Sequence, residues 1–175
     1  MKFLFCFYLF FLPLLSWSQL YNFRNYTVKD GVAQSQVYAL LQDSRGLVWM
    51  GTRGGGLTRF DGINFKTYSL RDGLGNNYIS SIVEDRRHNL WIATNNGISH
   101  YNGRSFKNYK LPSLQLTVQK IVIDKKERKW LATNNGVYLF DKNHFINISD
   151  KLRIKRGIIN KIGRASCRER VCQYV

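Results

Sequence analysis

Eight side chains stand out for what they could hold: Arg53, Arg71, Asn76, Asn77, Asn95, Asn96, Asn134 and Asn135. Each Asn amide supplies a donor and an acceptor, and a guanidinium can grip a carboxylate with two parallel bonds. Together they suit sugar hydroxyls and carboxylates. The plainer role for any one Asn is in a turn, where it tolerates a left-handed backbone. Reactive groups offer less. His88, His100 and His144 have no spacing that suggests metal ligation or a nucleophile and base pair. Gly54-Gly55-Gly56 looks like a phosphate cradle, but no Lys-Ser/Thr and no helix follow it, so a tight turn between strands is expected. The three cysteines, Cys6, Cys167 and Cys172, all fall in the terminal segments. No catalytic residue, metal site or cofactor is assigned.

Those terminal segments stand apart from the rest. Lys2 precedes an apolar run from Phe3 to Leu15, and small residues flank Trp17 in Ser16-Trp17-Ser18, so residues 1–18 read as a signal peptide cut after Ser18. The run is shorter than the roughly 20 apolar residues of a membrane span. At the other end IGRASCRERV, residues 162 to 171, reads as the in-frame translation of a sequencing adapter, so residues 162–175 are expected to be a non-native tail and the chain a fragment. The segment 19–161 then holds no cysteine and no disulfide, zinc or thiol chemistry. Without Lys2, Arg164, Arg168, Arg170 and Glu169 it keeps 23 basic and 10 acidic residues, a formal charge of +13. Such a surface attracts anions. An export signal argues against nucleic acid, and clusters such as Lys125-Lys126-Glu127-Arg128-Lys129 are solvated turn charges on the simplest reading.

Periodicity identifies the elements that must carry the eight residues. Trp49, Trp91 and Trp130 recur at intervals of 42 and 39, and the same intervals separate Asp43, Asp85 and Asp124, and Thr52, Thr94 and Thr133. Phe65, Phe106 and Phe145 follow at 41 and 39, with Tyr68 matched by Tyr109. Three copies result, at about 33–70, 75–110 and 115–149. In the first, β-branched or aromatic runs at 37–42, 48–52, 57–60 and 65–68 alternate with Ser-Arg-Gly, Gly-Gly-Gly and Asp-Gly turn signals, and no stretch supports a helix of normal length.

Four antiparallel strands per roughly 40 residues is the unit of a propeller blade, whose apolar faces only neighbouring blades can cover. The expected fold is therefore all-β: a β-propeller fragment of about three four-stranded antiparallel blades. The recurring Trp is read as the wedge between blades, with one N–H to satisfy, and the recurring Asp as a carboxylate that bonds turn amides. Phe23, Tyr26 and Asp30-Gly31-Val32 match Phe65, Tyr68 and Asp72-Gly73-Leu74, which predicts an N-terminal ring-closing strand. The loops joining second to third strands, and each blade to the next, share one face, and all eight candidate residues fall in them.

The composite of an Ile/Val-rich strand, Leu-Val-Trp-Met-Gly-Thr, Gly-Gly-Leu, Arg-Phe-Asp-Gly, Phe, Tyr and Asp-Gly-Leu resembles the two-component regulator propeller repeat from roughly Phe23 to Ile148. The resemblance implies an extracytoplasmic, oligosaccharide-responsive sensor region, not itself an enzyme. In the full-length protein it implies further blades, an inner-membrane helix and a histidine kinase, with a homodimer as one assembly. An exported propeller lyase or glycan hydrolase, or a protein-binding scaffold, is the alternative. The copies also depart from the pattern. Gly46 gives way to His88 and Glu127, Gly51 to Ala93 and Ala132, and the third copy enters through Leu111-Pro112-Ser113-Leu114 without Asp-Gly-Leu.

Overall fold

The computed structural model describes residues 23–149 and 151; the expected signal peptide and adapter-derived tail lie outside them. Among the described residues twelve strands form three sheets. The first contains β1 (Val37–Gln42), β2 (Val48–Thr52), β3 (Leu57–Phe60) and β4 (Phe65–Tyr68). The second contains β5 (Ile79–Glu84), β6 (Leu90–Thr94), β7 (Gly97–Tyr101) and β8 (Phe106–Lys110). The third contains β9 (Val118–Ile123), β10 (Lys129–Thr133), β11 (Gly136–Asp141) and β12 (His144–Asn147). Each sheet runs in chain order and is antiparallel throughout. The four runs expected in the first copy are its four strands.

The sheets are blades, with β1, β5 and β9 side by side as inner strands. Apolar residues of facing sheets make two cores. Ala39, Trp49, Leu57 and Tyr68 meet Ile79, Ile82, Leu90 and Tyr101 at the first junction. Trp91, Ala93 and Ile98 meet Val118, Ile121, Leu131 and Phe140 at the second. Burial of this kind, worth about 25 cal/mol per Å² of apolar surface, joins units that no hydrogen-bonded ladder connects. Trp49 and Trp91 are the expected wedges: Trp49 stacks on Tyr68 of its own blade and meets Tyr101 of the next edge-on, and Trp91 stacks on Tyr109 and meets Phe140.

The same backbone turn is rebuilt three times. One oxygen of Asp43 accepts from the Arg45 and Leu47 amides, and the other accepts from the Trp49 indole at 2.9 Å. Asp85 and Asp124 do the same for Trp91 and Trp130, each at 3.0 Å. The carboxylate therefore ties the turn to the wedge. Its ligands hold the turn even where Gly46, at φ 86°, is replaced by His88 at φ 61° and Glu127 at φ 60°. Gly51 lies so close to Ile79 and Ala39 that an added Cβ would collide there, whereas Ala93 and Ala132 fit fully buried.

The N-terminal segment departs from its expected form. Residues 23–27 do not form a strand. Its packing nevertheless follows the repeat. Tyr26 lies against Phe60 and Phe65, as Tyr68 lies against Tyr101 and Phe106. Arg24, Lys66 and Lys107 sit over Tyr26, Tyr68 and Tyr109 at 5.2, 5.1 and 5.4 Å. The following 3-10 turns, Val28–Asp30 and Leu70–Asp72, carry matching capping boxes, Thr27 with Asp30 and Ser69 with Asp72. The third blade lacks this box, yet Leu116 is buried at its entry as Leu74 is at the second.

Candidate functional site

The face carrying the eight predicted residues is held together by backbone bonds between loops. The β2–β3 turn gives the Gly54 and Gly56 amides to the Asn77 carbonyl at 3.0 and 3.1 Å, and Arg53 bridges to Tyr78. These amides are spent on the neighbouring linker, which is why the glycine run is a turn. At the next junctions Asn95 N–H donates to the Tyr78 carbonyl, Leu111 N–H to that of Asn96, and Asn134 N–H to that of Thr117.

The eight side chains divide. Asn76 accepts from the Tyr78 amide and Asn77 from the Leu70 amide, while Asn134 accepts from Thr117 and donates to the Gln115 carbonyl. These three brace the linkers. None of them has positive φ, so they act through their amides and not through a left-handed backbone. The exposed side chains of Arg71, Asn95, Asn96 and Asn135 make no hydrogen bond to another described residue. Arg53 lies over Tyr38, its Cζ 5.6 Å from the ring centroid, and donates one guanidinium bond to the Tyr38 hydroxyl at 3.2 Å.

Around Arg53 stand residues that the sequence reading missed. Tyr38 is 57% exposed and Tyr78 is 45% exposed. Gly54, at φ 111°, leaves open the space where a Cβ would come within 3.6 Å of Gln34 Oε1 and 3.8 Å of the Tyr78 hydroxyl. Gln34 Oε1 is buried there with no donor. Strand register equates Tyr38 with Ser80, Arg53 with Asn95 and Tyr78 with Thr117. Two aromatic rings and a cation thus stand where the next junction has three small polar groups. That break in the repeat was the available signal.

Most of the acidic groups among the described residues, and the His100 ring, are otherwise engaged. Burial alone would push the Asp43, Asp85 and Asp124 carboxyls up, but their indole, amide and, for Asp43 and Asp124, guanidinium bonds outweigh it. All three pKa values fall below the ordinary range, that of Asp124 to about 2. Asp30, Asp61 and Asp72 serve turns. His100 lies 4.5 Å from the Trp91 ring, and burial lowers its pKa. Among the described residues no group of three His, Cys, Asp or Glu side chains is placed to hold a metal ion.

Comparison with known families bears on what this face belongs to. A model of the two-component regulator propeller matches residues 31–54 and 73–96, which in each copy run from the Asp-Gly turn past the Asp and Trp pair to the β2–β3 or β6–β7 turn. The chain carries two-component regulator propeller repeats. No curated protein sequence matches it. Among solved structures, the extracellular domain of a hybrid two component system from B. thetaiotaomicron is 21% identical, with TM-score 0.64, over 78% of this chain and 20% of its own. The extracellular domain of a one component system from the same organism is 17% identical, with TM-score 0.63, over 71% of this chain and 18% of its own. Virginiamycin B lyase from Staphylococcus aureus is 17% identical, with TM-score 0.55, over 67% of this chain and 43% of its own. These likenesses establish the propeller fold, and the chain spans about a fifth of the length of the two extracellular domains it matches. Among the described residues no helix is long and apolar enough to cross a membrane.

Proposed function

We propose that these blades belong to the extracytoplasmic, ligand-sensing propeller of a two-component regulator. An oligosaccharide met on the loop face biases the blades, and further blades, an inner-membrane helix and a histidine kinase of the same polypeptide carry the signal inward. Export to the periplasm by residues 1–18 is part of the reading, as is a homodimer of the full-length protein. The supporting observation is the two-component regulator repeat, realised as blades whose recurring carboxylates tie their own turns and wedges while the loop face keeps exposed Arg, Asn and Tyr groups. The lyase likeness concerns the fold alone.

The test uses the full-length protein in membrane vesicles with a panel of neutral and acidic oligosaccharides. At least one member should change the rate of histidine phosphorylation from ATP. A full-length protein that cleaves a panel member, with no phosphate incorporated, would overturn the reading.

A further inference from the structure

The geometry points to a carboxylated sugar residue as the occupant of the site formed by Tyr38, Arg53, Tyr78, Gly54 and Gln34. This deepens the sensor reading and rests on it. The site is complete within two blades that are both present. Leu40, on the same strand, is 70% exposed, while its repeat equivalents Ile82 and Ile121 are buried against a preceding blade, so its exposure marks the uncovered side of the first blade. Tyr38 points the other way. It is the extra residue of a bulge between Val37 and Ala39, and a bulge re-aims a side chain. Ser80, at the equivalent bulge, donates across the junction to the Val118 carbonyl of the third blade. By the same geometry Tyr38 faces the start of β5, beside Tyr78.

Each component selects for the same chemistry. The exposed tyrosine rings offer apolar faces to the C–H side of a pyranose and hydroxyls to its rim. Gln34 Oε1 is buried behind these groups without a donor, a state that costs free energy. Arg53 spends one guanidinium bond on Tyr38, and its remaining N–H groups meet no acceptor among the described residues. A planar fork so placed, in a segment of 23 basic and 10 acidic residues, favours a carboxylate over a hydroxyl. Gly54 keeps its backbone close beside both groups: a Cβ there would already be in van der Waals contact with Gln34 Oε1 and the Tyr78 ring.

The second junction supplies the control, because its backbone accepts Ser80, Asn95 and Thr117 at these positions. Tyr38→Ser, Arg53→Asn and Tyr78→Thr in the full-length protein should therefore fold with unchanged melting. The probes are a galacturonic acid trimer and a galactose trimer of the same linkage, titrated calorimetrically. The acidic trimer should bind about tenfold more tightly, and Arg53→Asn should abolish that preference. Tyr38→Ser or Tyr78→Thr should weaken both sugars by up to about tenfold. Arg53→Lys, which keeps the charge and loses the fork, should retain part of the preference. Equal affinity of the parent for both trimers, binding of neither, or an Arg53→Asn variant that still prefers the acid would overturn the assignment. If another panel member still drives phosphorylation, the sensor reading survives that failure. If none does, the sensor reading fails with it.

Discussion

The two blade junctions are made from the same repeat positions and differ most at their ends. In the middle they agree. Trp49 stacks on Tyr68 at 6.0 Å and meets Tyr101 at 5.7 Å, while Trp91 stacks on Tyr109 at 6.1 Å and meets Phe140 at 5.6 Å. At the loop face the first junction has Tyr38, Arg53 and Tyr78 where the second has Ser80, Asn95 and Thr117. At the opposite face each junction has its own clasp. Ser44 gives its amide and hydroxyl to Glu84 at 2.8 and 2.6 Å, with His88 Nδ1 2.7 Å from the same hydroxyl. Arg86 instead pairs with Glu127 and donates to the Lys125 carbonyl. The wedge fixes the blade spacing, and once it is fixed the ends are free to differ.

The largest effect should come from removing a wedge. Trp49 is 1% exposed and wholly enclosed by the first junction, so Trp49→Ala should cost about 3–5 kcal/mol. Trp91 is 7% exposed and shares its surroundings with the His100 ring and the Lys129 ammonium, 4.7 Å from its centroid. Its loss leaves a site that water and a flexible Lys stem can enter, and Trp91→Ala should cost less. Denaturant unfolding of the exported region measures both. Equal losses would mean that the two middles are energetically the same and that only the ends distinguish the junctions.

Next in size is the acid response, which the three aspartate clamps should share. The wedge aspartates have folded-state pKa values below their unfolded ones, so their stabilisation is complete above about pH 4 and disappears as pH falls through the folded value, near 2 for Asp124. For Asp124 that amounts to roughly 2 kcal/mol. Stability measured from pH 5 down to pH 2 should fall, and Asp124→Asn should start lower and show a shallower fall. A variant with the parent's slope would mean that other carboxylates carry the acid sensitivity. Comparing Asp43→Asn with Asp85→Asn then asks whether the clamp matters equally at the two junctions.

What the sequence showed, and what it hid, follows this division between middles and ends. The strands of the first blade lay where expected because turn residues bracket each run, and Trp49 and Asp43 were visible because they recur. Their mutual bond was not visible, since the two are six residues apart and meet only when the turn folds back. Asn76, Asn77 and Asn134 suggested ligand contacts, but an amide beside a turn meets backbone donors before it meets solvent. Tyr38 and Tyr78 passed as ordinary strand residues, and only the register between copies shows that they stand where Ser80 and Thr117 stand. Phe23 and Tyr26 matched a final strand by residue type. Strand formation needs a paired edge, whereas Tyr26 needed only the aromatic ledge of Phe60 and Phe65 to reach its place.

The smallest effect tests the clasps. His88 occupies the left-handed region, which costs a non-glycine residue about 1 kcal/mol, and Gly46 occupies the same place in the first blade without that cost. His88→Gly would remove the strain. It would also free an additional backbone state in the unfolded chain, at about 0.5 kcal/mol, and give up the approach to Ser44 and Glu84, worth up to about 1 kcal/mol at this exposure. The terms nearly cancel, so the single variant should shift stability by less than about 0.5 kcal/mol. The same change in a Ser44→Ala background should be more favourable than in the parent, because the His88 contact with Ser44 is already gone while the relief of strain, the glycine entropy and the loss of the Glu84 contact stay the same. Glu127→Gly should behave differently with salt. Arg86 and Glu127 form an exposed ion pair that salt screens, so its loss should fade as ionic strength rises, whereas the Ser44 and Glu84 bonds should not. If both glycine variants respond to salt alike, the clasps are interchangeable, and the difference between the junctions is confined to the loop face.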